Sequence, residues 1–255
     1  MSSKRLEAFA VDGIPLVQPG DDLGALIIAA IEHSRLAPVQ GDVVVVAQKI
    51  VSKAENRIVK MSSIKPSERA LKIAAEINKD PAMVELVLSE SKAIIATGNN
   101  VLIVEDKRGF ILANAGIDRS NIEDSENRAL LLPKDANASA AKLQQALNAH
   151  FGIQLGIVIT DSVGRPFRLG TTGIAIGSAG VEALQNLRGN RDMFGRELMV
   201  AEHAVADAIA ATAELLMGEG DEAIPVVLLH GLNQGTSTQT AAEILRPEHE
   251  DLFRK

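Results

Sequence analysis

Residues 43–46 are four consecutive valines, closed by Ala47 and preceded by Gly41-Asp42. An unbroken β-branched run with no polar alternation predicts a central strand buried on both faces. Gln48, Lys49, Ser52 and Lys53 then stand at or beyond its end. Residues 155–160 predict a second strong strand, and residues 225–229 a last one. Elsewhere the period is helical. Residues 23–31 make a helix that Asp21 or Asp22 can cap. Ser67 caps another, with Glu68 in its first turn and Ala70, Ile73, Ala74 and Ile77 on one stripe. Asp80-Pro81 opens a third, whose apolar face is Met83, Val84, Val87 and Leu88. Leu143 and Leu147 share a face of a helix that begins near Ser139 and stops at Gly152. Residues 200–217 predict a long Ala-rich helix in which Glu202, Asp207 and Glu214 recur roughly by turns.

Shorter extended pieces fill the gaps. Residues 6–17 predict a strand, a turn at Asp12-Gly13 and a second extended piece; residues 130–133 predict another. Residues 93–96, 101–105 and 110–112 form a meander with a turn at 106–109. It feeds Asn114-Ala115-Gly116-Ile117-Asp118-Arg119-Ser120-Asn121, which packs amides, a hydroxyl, two charges and glycine into one loop. Polar groups at a strand end are where sites tend to sit. Asp118 is the leading acid there; the plainer alternative is a turn at Gly116 with Asp118 and Asn121 as helix caps. Residues 155–160 run into Asp161-Ser162 and then Gly164-Arg165-Pro166-Phe167-Arg168, either a site or a strand-to-turn transition with surface arginines. The small residues of 171–180 permit close approach of chain or ligand, or a tightly packed sheet. Arg188, Arg191 and Arg196 steer an anion if the fold makes them converge. Met217-Gly218-Glu219-Gly220-Asp221-Glu222 places three acids just past a helix C-terminus, where negative charge is disfavoured. A cation explains them; solvation is the alternative. Residues 235–240 read as a flexible polar loop and 246–255 as a charged periphery.

Composition narrows the chemistry. A chain of 255 residues, 46% hydrophobic and 23% charged, fits one large domain or two smaller ones. With 26 Lys plus Arg against 33 Asp plus Glu the net charge is −7, and no basic cluster offers nucleic acid a footprint. An anionic substrate stays open, because a bound cation can invert the local field. The absence of cysteine excludes disulfides, thiolate metal sites and cysteine nucleophiles. With six Phe, no Trp and no Tyr, the core is aliphatic and a base would find few stacking platforms. No secretory pattern opens the chain and no apolar run spans a bilayer, so a cytoplasmic location and no membrane partner are expected. Five scattered histidines form no zinc motif, and neither a Walker A sequence nor a dinucleotide glycine fingerprint is present. Hard oxygen donors at three element ends remain: Asp118, Asp161 with Ser162, and Glu219. Such donors suit Mg²⁺ or Mn²⁺ shared with substrate phosphates. The residues alone thus point to a metal-assisted enzyme acting on a phosphorylated substrate.

Five segments in order add specificity: Val11-Asp12-Gly13-Ile14-Pro15-Leu16, the Gln48-to-Glu55 run, the Asn114-to-Asn121 loop, Ile159-Thr160-Asp161-Ser162-Val163-Gly164-Arg165, and the Leu216-to-Asp221 segment. Together they resemble the coenzyme F420-0:L-glutamate ligase family over residues 6–245. The resemblance implies an α+β chain: a mixed α/β, F420-ligase-like fold in two interlocked subdomains, with boundaries 1–90 plus 200–245 and 91–199. It also implies a homodimer and no fused reductase domain. The implied partners are F420-0, L-glutamate and GTP, and the implied ions are two divalent cations, Mg²⁺ or Mn²⁺, with K⁺ as an optional addition. By the resemblance, Asp118 and Asp161 hold one divalent ion, while Ser162 (Thr in some relatives) and Glu219 help hold the second. The nucleotide would contact Ile14, Pro15, Leu16, Val17, Gln48, Lys49, Lys53 and Asn121, then Met217, Gly218, Glu219, Gly220, Asp221, Glu222, Ala223 and Ile224. Lys53, Arg165 and Arg168 would add positive charge for catalysis. Gln48-Lys49 stands where some relatives have small hydroxyl residues, and Glu222-Ala223 replaces a more glycine-like stretch. The implied reaction phosphorylates the F420-0 carboxylate with GTP and then forms an amide with glutamate, with further γ-linked additions. The rivals are a metal-dependent GTP-binding phosphohydrolase or regulator without ligation, and a structural protein whose glycines and acids serve turns.

Overall fold

A computed structural model describes residues 4–253, so the charged C-terminal stretch is seen only as far as Phe253. The strands are β1 (Glu7–Ala10), β2 (Val43–Ala47), β3 (Ile58–Lys60), β4 (Ser91–Gly98), β5 (Val101–Asp106), β6 (Ile111–Ala113), β7 (Arg128–Leu130), β8 (Gly156–Arg165), β9 (Arg168–Ala179), β10 (Leu184–Asn186), β11 (Glu202–Ala204) and β12 (Val226–His230). The helices are α1 (Leu23–His33), α2 (Gln48–Ala54), α3 (Glu68–Ile77), α4 (Pro81–Ser89), α5 (Ala136–Phe151) and α6 (Val205–Met217). The main sheet has the order β1-β12-β2-β8-β9, and only its β2–β8 pair is parallel.

The valine run behaves as its composition requires. Val44 and Val46 pack with Ile157, Ile159 and Leu228 against Ile27 and Ile31 of α1 and Leu143 and Leu147 of α5. Val43 and Val45 turn the other way, joining Val158, Val227 and Leu229 against Ile209, Ala210 and Ala213 of α6. Successive strand residues point to opposite faces, so helices on both sides of the sheet demand an all-apolar strand. A third cluster lies apart, where Ala70, Ala74 and Ile77 of α3 and Val84 and Val87 of α4 meet Leu102 and Val104 of β5. The smaller sheet there is β4-β5-β6. Helix ends follow their caps: Asp22, Ser67 and Asp80 accept the amides of Ala25, Ala70 and Ala82.

Several expected boundaries move. The residues after Ala47 continue as α2, which has no side-chain cap and is held by its buried face, Gln48, Ile50, Val51 and Ser52. The second strong strand does not end at Thr160; β8 carries Asp161 and Ser162 within it, paired to Ile174 and Gly173 of β9. The small-residue stretch 171–180 is therefore largely strand: Gly177 lies against the Ala136 backbone, where a Cβ would overlap the carbonyl. The helix expected from Ser139 starts at Ala136, because Asp135 accepts the Ala138 amide at 2.9 Å. The Ala-rich helix begins at Val205, not residue 200, since residues 202–204 pair with β10. Among the described residues, no helix is long and apolar enough to cross a membrane.

The topology brings four chain segments to one place. Ala47 pairs with Thr160, so β2 and β8 deliver Gln48 and Asp161 side by side. The Ala47 amide donates to Pro225 O at 2.8 Å, and the Val11 amide to Val226 O at 3.0 Å. The segment before β12 and the segment after β1 therefore converge on the same end. Ligands of open α/β sheets bind beyond the carboxyl ends of parallel strands.

Candidate active site

A cleft of about 710 Å³ opens at that end. Its walls include Ile14, Pro15, Leu16 and Val17, then Gln48, Lys49 and Lys53, then Asn121, then Asp161 and Ser162. Met217, Gly218, Glu219, Gly220, Asp221, Ala223 and Ile224 complete it. Nearly all the residues expected to meet a nucleotide or metal thus share one cavity, although they come from five separated segments.

Asp118 is placed by its backbone, which exchanges hydrogen bonds with Leu130 at 3.1 and 2.8 Å. Gly116 lets the loop reach that position: its φ is +67°, and a Cβ would come within 2.6 Å of Leu132 Cδ1. The Asp118 carboxylate accepts the Ser120 amide at 2.8 Å and the Ser120 hydroxyl at 2.7 Å. Lys49 Nζ lies 2.7 Å from Asp118 Oδ2 and donates to Ser120 Oγ at 2.6 Å. Asp118 does not line the cleft itself; it stands behind Lys49. Burial is the largest single influence on Asp118 and acts upward, but the bonds from Lys49 and Ser120 together outweigh it and hold the carboxyl below the usual range.

Asp161 behaves oppositely. Burial, reinforced by the negative charge of Asp118, pushes its carboxyl up to about 7, with Lys49, Gln48 and the Ser162 amide pulling the other way. Two nearby carboxylates of one sign disfavour joint ionisation, and a cation between them relieves the conflict. Next to Asp161 in the chain, the buried Thr160 Oγ1 has no hydrogen-bond partner among the described residues. Gln48, buried next to β2, is fixed by the Ser52 hydroxyl donating to its Oε1 at 2.9 Å.

At the far wall the Ser162 hydroxyl donates to Glu219 Oε2 at 3.2 Å and the Thr171 hydroxyl to Oε1 at 2.8 Å. Glu214, also lining the cleft, is raised by burial and then by the charge of Glu219. Of the three acids past α6, Glu222 instead folds back, accepting the Gly220 amide at 2.8 Å. Lys53 Nζ donates to Asn121 O at 2.8 Å, and Asn121 Nδ2 to Gly220 O at 3.3 Å, so the two loops close on each other. Burial, then the like charge of Lys49, lowers the Lys53 ammonium, opposed by Glu123.

Arg165 and Arg168 face each other at the turn between β8 and β9, outside the cleft walls. Arg165 acts at a distance, as a weak downward influence on Glu214, whereas Arg168 is exposed. Arg188, Arg191 and Arg196 do not line the cleft: Arg188 pairs with Glu202 at 2.8 Å, Arg191 donates to Gly195 O at 2.9 Å, and the backbone amide of Arg196 donates to Asp192 Oδ1. Sequence reasoning missed Thr171 and Glu123, and passed over Glu214 and Ser120 as site residues. Nothing local marks Thr171, since its partner lies 48 positions away. Ser120, within a loop already singled out, was detectable from its place two residues after Asp118.

Among the described residues, no group of three or more His, Asp or Glu is arranged to hold a metal on its own. The oxygens of Asp118, Asp161, Ser162 and Glu219 are nonetheless of the hard type that Mg²⁺ and Mn²⁺ take while keeping waters and substrate oxygens as further ligands. The opposed Asp118 and Asp161 carboxyls fit a cation there.

A mixed α/β fold whose parallel strands end in a cleft of carboxylates, hydroxyls and lysines has the groups an enzyme needs to handle charge. The chain belongs to the F420-0:Gamma-glutamyl ligase family, whose sequence profile matches residues 13–231. It is 42% identical over 251 residues to the Coenzyme F420:L-glutamate ligase of Methanothermobacter thermautotrophicus, covering 98% of this chain and 99% of that protein. The protein of the same name from Archaeoglobus fulgidus is 45% identical over 251 residues, covering 98% and 97%. That from Methanopyrus kandleri is 38% identical over 256 residues, covering 98% and 99%. Membership makes this chain a ligase that forms a C–N bond.

Proposed function

We propose that this ligase, which adds L-glutamate to coenzyme F420-0, is driven by GTP through an acyl phosphate. The observation that carries the reading is the single cleft in which Lys49, Lys53, Asp161, Ser162 and Glu219 meet Asn121 and the apolar Ile14-to-Val17 wall. In the first step the terminal phosphoryl group passes from GTP to the acceptor carboxylate, and GDP leaves. The glutamate α-amine then attacks the acyl carbon, the amide forms, phosphate departs and the amine gives up a proton. Repetition builds γ-linked glutamates. Such chemistry needs positioning and charge neutralisation more than a protein nucleophile.

Lys49 and Lys53 are suited to holding phosphate oxygens, and Asn121 to fixing the nucleotide against the Gly220 loop. Asp118 and Asp161 would hold one divalent ion, Ser162 and Glu219 a second; bound, these ions neutralise phosphate charge, with K⁺ an optional addition. Arg165 and Arg168 would add positive charge from the β8–β9 turn, Arg165 beyond Glu214.

We also infer a homodimer. Its support is the exposure of Phe167 on the β8–β9 turn, of Leu169 at the start of β9 and of Met193, Phe194, Met199 and Val200 between β10 and β11. For two subdomains within the chain, the grouping favoured is a smaller one around the apolar cluster of α3, α4 and β5, which crosses the boundary expected at residue 90. Light scattering in solution should give twice the 27.0 kDa chain mass.

The deciding assay is mass spectrometry after incubating the protein with F420-0, glutamate, GTP and Mn²⁺. A product heavier by glutamate, with GDP released in step, is expected. GTP turnover independent of both F420-0 and glutamate would favour a phosphohydrolase, and no product from folded protein would sink the assignment.

A further inference from the structure

Glu219 follows directly after α6, so its place in the cleft depends on how far along β9 that helix lies. β9 is the outer strand of the main sheet. Its pairing with β8 shifts within the sheet: Ile159 faces Gly177, but Thr160 faces Ala175. Ile176 is thus the extra residue of a bulge, and a bulge bends its strand and leaves backbone groups unpaired. Beyond it, β8 changes from five buried residues to an alternation in which Asp161 is half-buried and Ser162 exposed. The bulge therefore sits where the sheet becomes the site.

α6 grips β9 at this point. Asp207 Oδ1 accepts the Ala175 amide at 2.9 Å. Two helical turns on, the Glu214 carboxyl faces the amide of Gly173, which lowers its pKa. Between them the backbones touch, since a Cβ on Gly173 would lie 2.8 Å from the carbonyl carbon and oxygen of Ala210. Residues seven apart lie on one face of a helix, so both acids dock the same face. An acid is otherwise costly beside Ala206 and Ala210, which are fully buried.

We infer that Asp207 is a positioning residue for the Glu219 wall of the cleft. By holding the Ala175 amide beside the bulge it pins α6 to β9 in one register, and that register sets Glu219 between the hydroxyls of Ser162 on β8 and Thr171 on β9. Asp207 touches neither substrate nor ion; it acts through the helix. The inference rests on the reading of Glu219 as a cation ligand.

The test is Mn²⁺ binding to the nucleotide-free protein, followed by electron paramagnetic resonance, beside thermal melting of the same samples. Outer groups that orient metal ligands change affinity by about 10-fold or more when removed, so Asp207→Ala should bind Mn²⁺ roughly 10-fold more weakly. Asp207→Asn keeps an oxygen for the Ala175 amide and should stay within about twofold of wild type by the same argument. A merely structural role would lower the melting temperature of Asp207→Ala and leave the Mn²⁺ affinity of folded protein unchanged; that result overturns the inference, as does an equal loss in Asp207→Asn. If Asp207→Ala does not fold, Asp207→Ser, too short to reach the amide, carries the same expectation. Glu219→Gln separates the two readings: if it binds Mn²⁺ like wild type, the cation site itself falls and the inference with it. If it binds weakly while Asp207→Ala does not, only the inference falls.

Discussion

The Asp161 carboxyl makes a definite demand on the pH dependence of stability. Burial, then the charge of Asp118, lifts it from 3.8 to about 7. Between those values the folded chain holds a proton that the unfolded chain has released. Raising the pH across that window therefore removes stability, which is fully present below the unfolded value and lost as pH passes the folded one. At about 1.4 kcal/mol per unit, the difference amounts to about 4 kcal/mol as an upper bound, since water and side-chain relaxation soften a buried charge. Between pH 5 and pH 7.5 about two of those units are crossed, a loss of at most about 3 kcal/mol and a melting shift of roughly 8 °C. The assay is thermal melting in chelator at pH 5 and pH 7.5, for wild type and Asp161→Asn. Wild type should lose more stability than the variant on going to pH 7.5, and the comparison cancels the titrating groups that do not interact with Asp161. Mn²⁺ added at pH 7.5 should recover the loss in wild type, because it binds the ionised folded form. Parallel curves for the two proteins would refute the argument: Asp161 would then be solvated, and the cleft would present no charge conflict for a cation to relieve.

Other expectations test the surrounding framework. Thr171→Val keeps the shape but removes the hydroxyl that donates to Glu219 at 2.8 Å. It should weaken Mn²⁺ binding roughly 10-fold with little change in melting, as checked by metal titration. Gly177→Ala drives a methyl into the Ala136 carbonyl; it should cost about 3 kcal/mol in urea unfolding through overpacking. Ser67→Ala removes the cap of α3 and should cost about 1 kcal/mol. Glu85, held low chiefly by the Ser67 hydroxyl and amide, should titrate higher in that variant by NMR. Because a depressed carboxyl stabilises the fold above its unfolded value and loses that as pH falls through its folded value, the penalty should shrink in acid.

Much of the secondary structure was legible because its causes are local. Ser67 and Asp80 announce α3 and α4 through side chains that meet amides within three residues. The valines of β2 announce a buried strand because no half-exposed face tolerates that pattern. Elements whose causes are distant were misread. α2 has no cap and exists because its apolar side is buried, while residues 202–204 leave the helical pattern to pair with β10.

The same division runs through the candidate site. The sequence by itself determined the supply of hard oxygens, the lack of a thiol or triad, and the order of segments that resembles the family. Only the tertiary structure decided which groups meet. Lys49 reaches Asp118 and Ser120 across 71 positions of chain to the latter, and the parallel pairing of Ala47 with Thr160 sets Gln48 beside Asp161. Register and packing are properties of the folded sheet, and residue order does not carry them. That is why Asp207, an acid at ordinary helical spacing in the sequence, is in the folded protein the acceptor for the Ala175 amide next to a bulge.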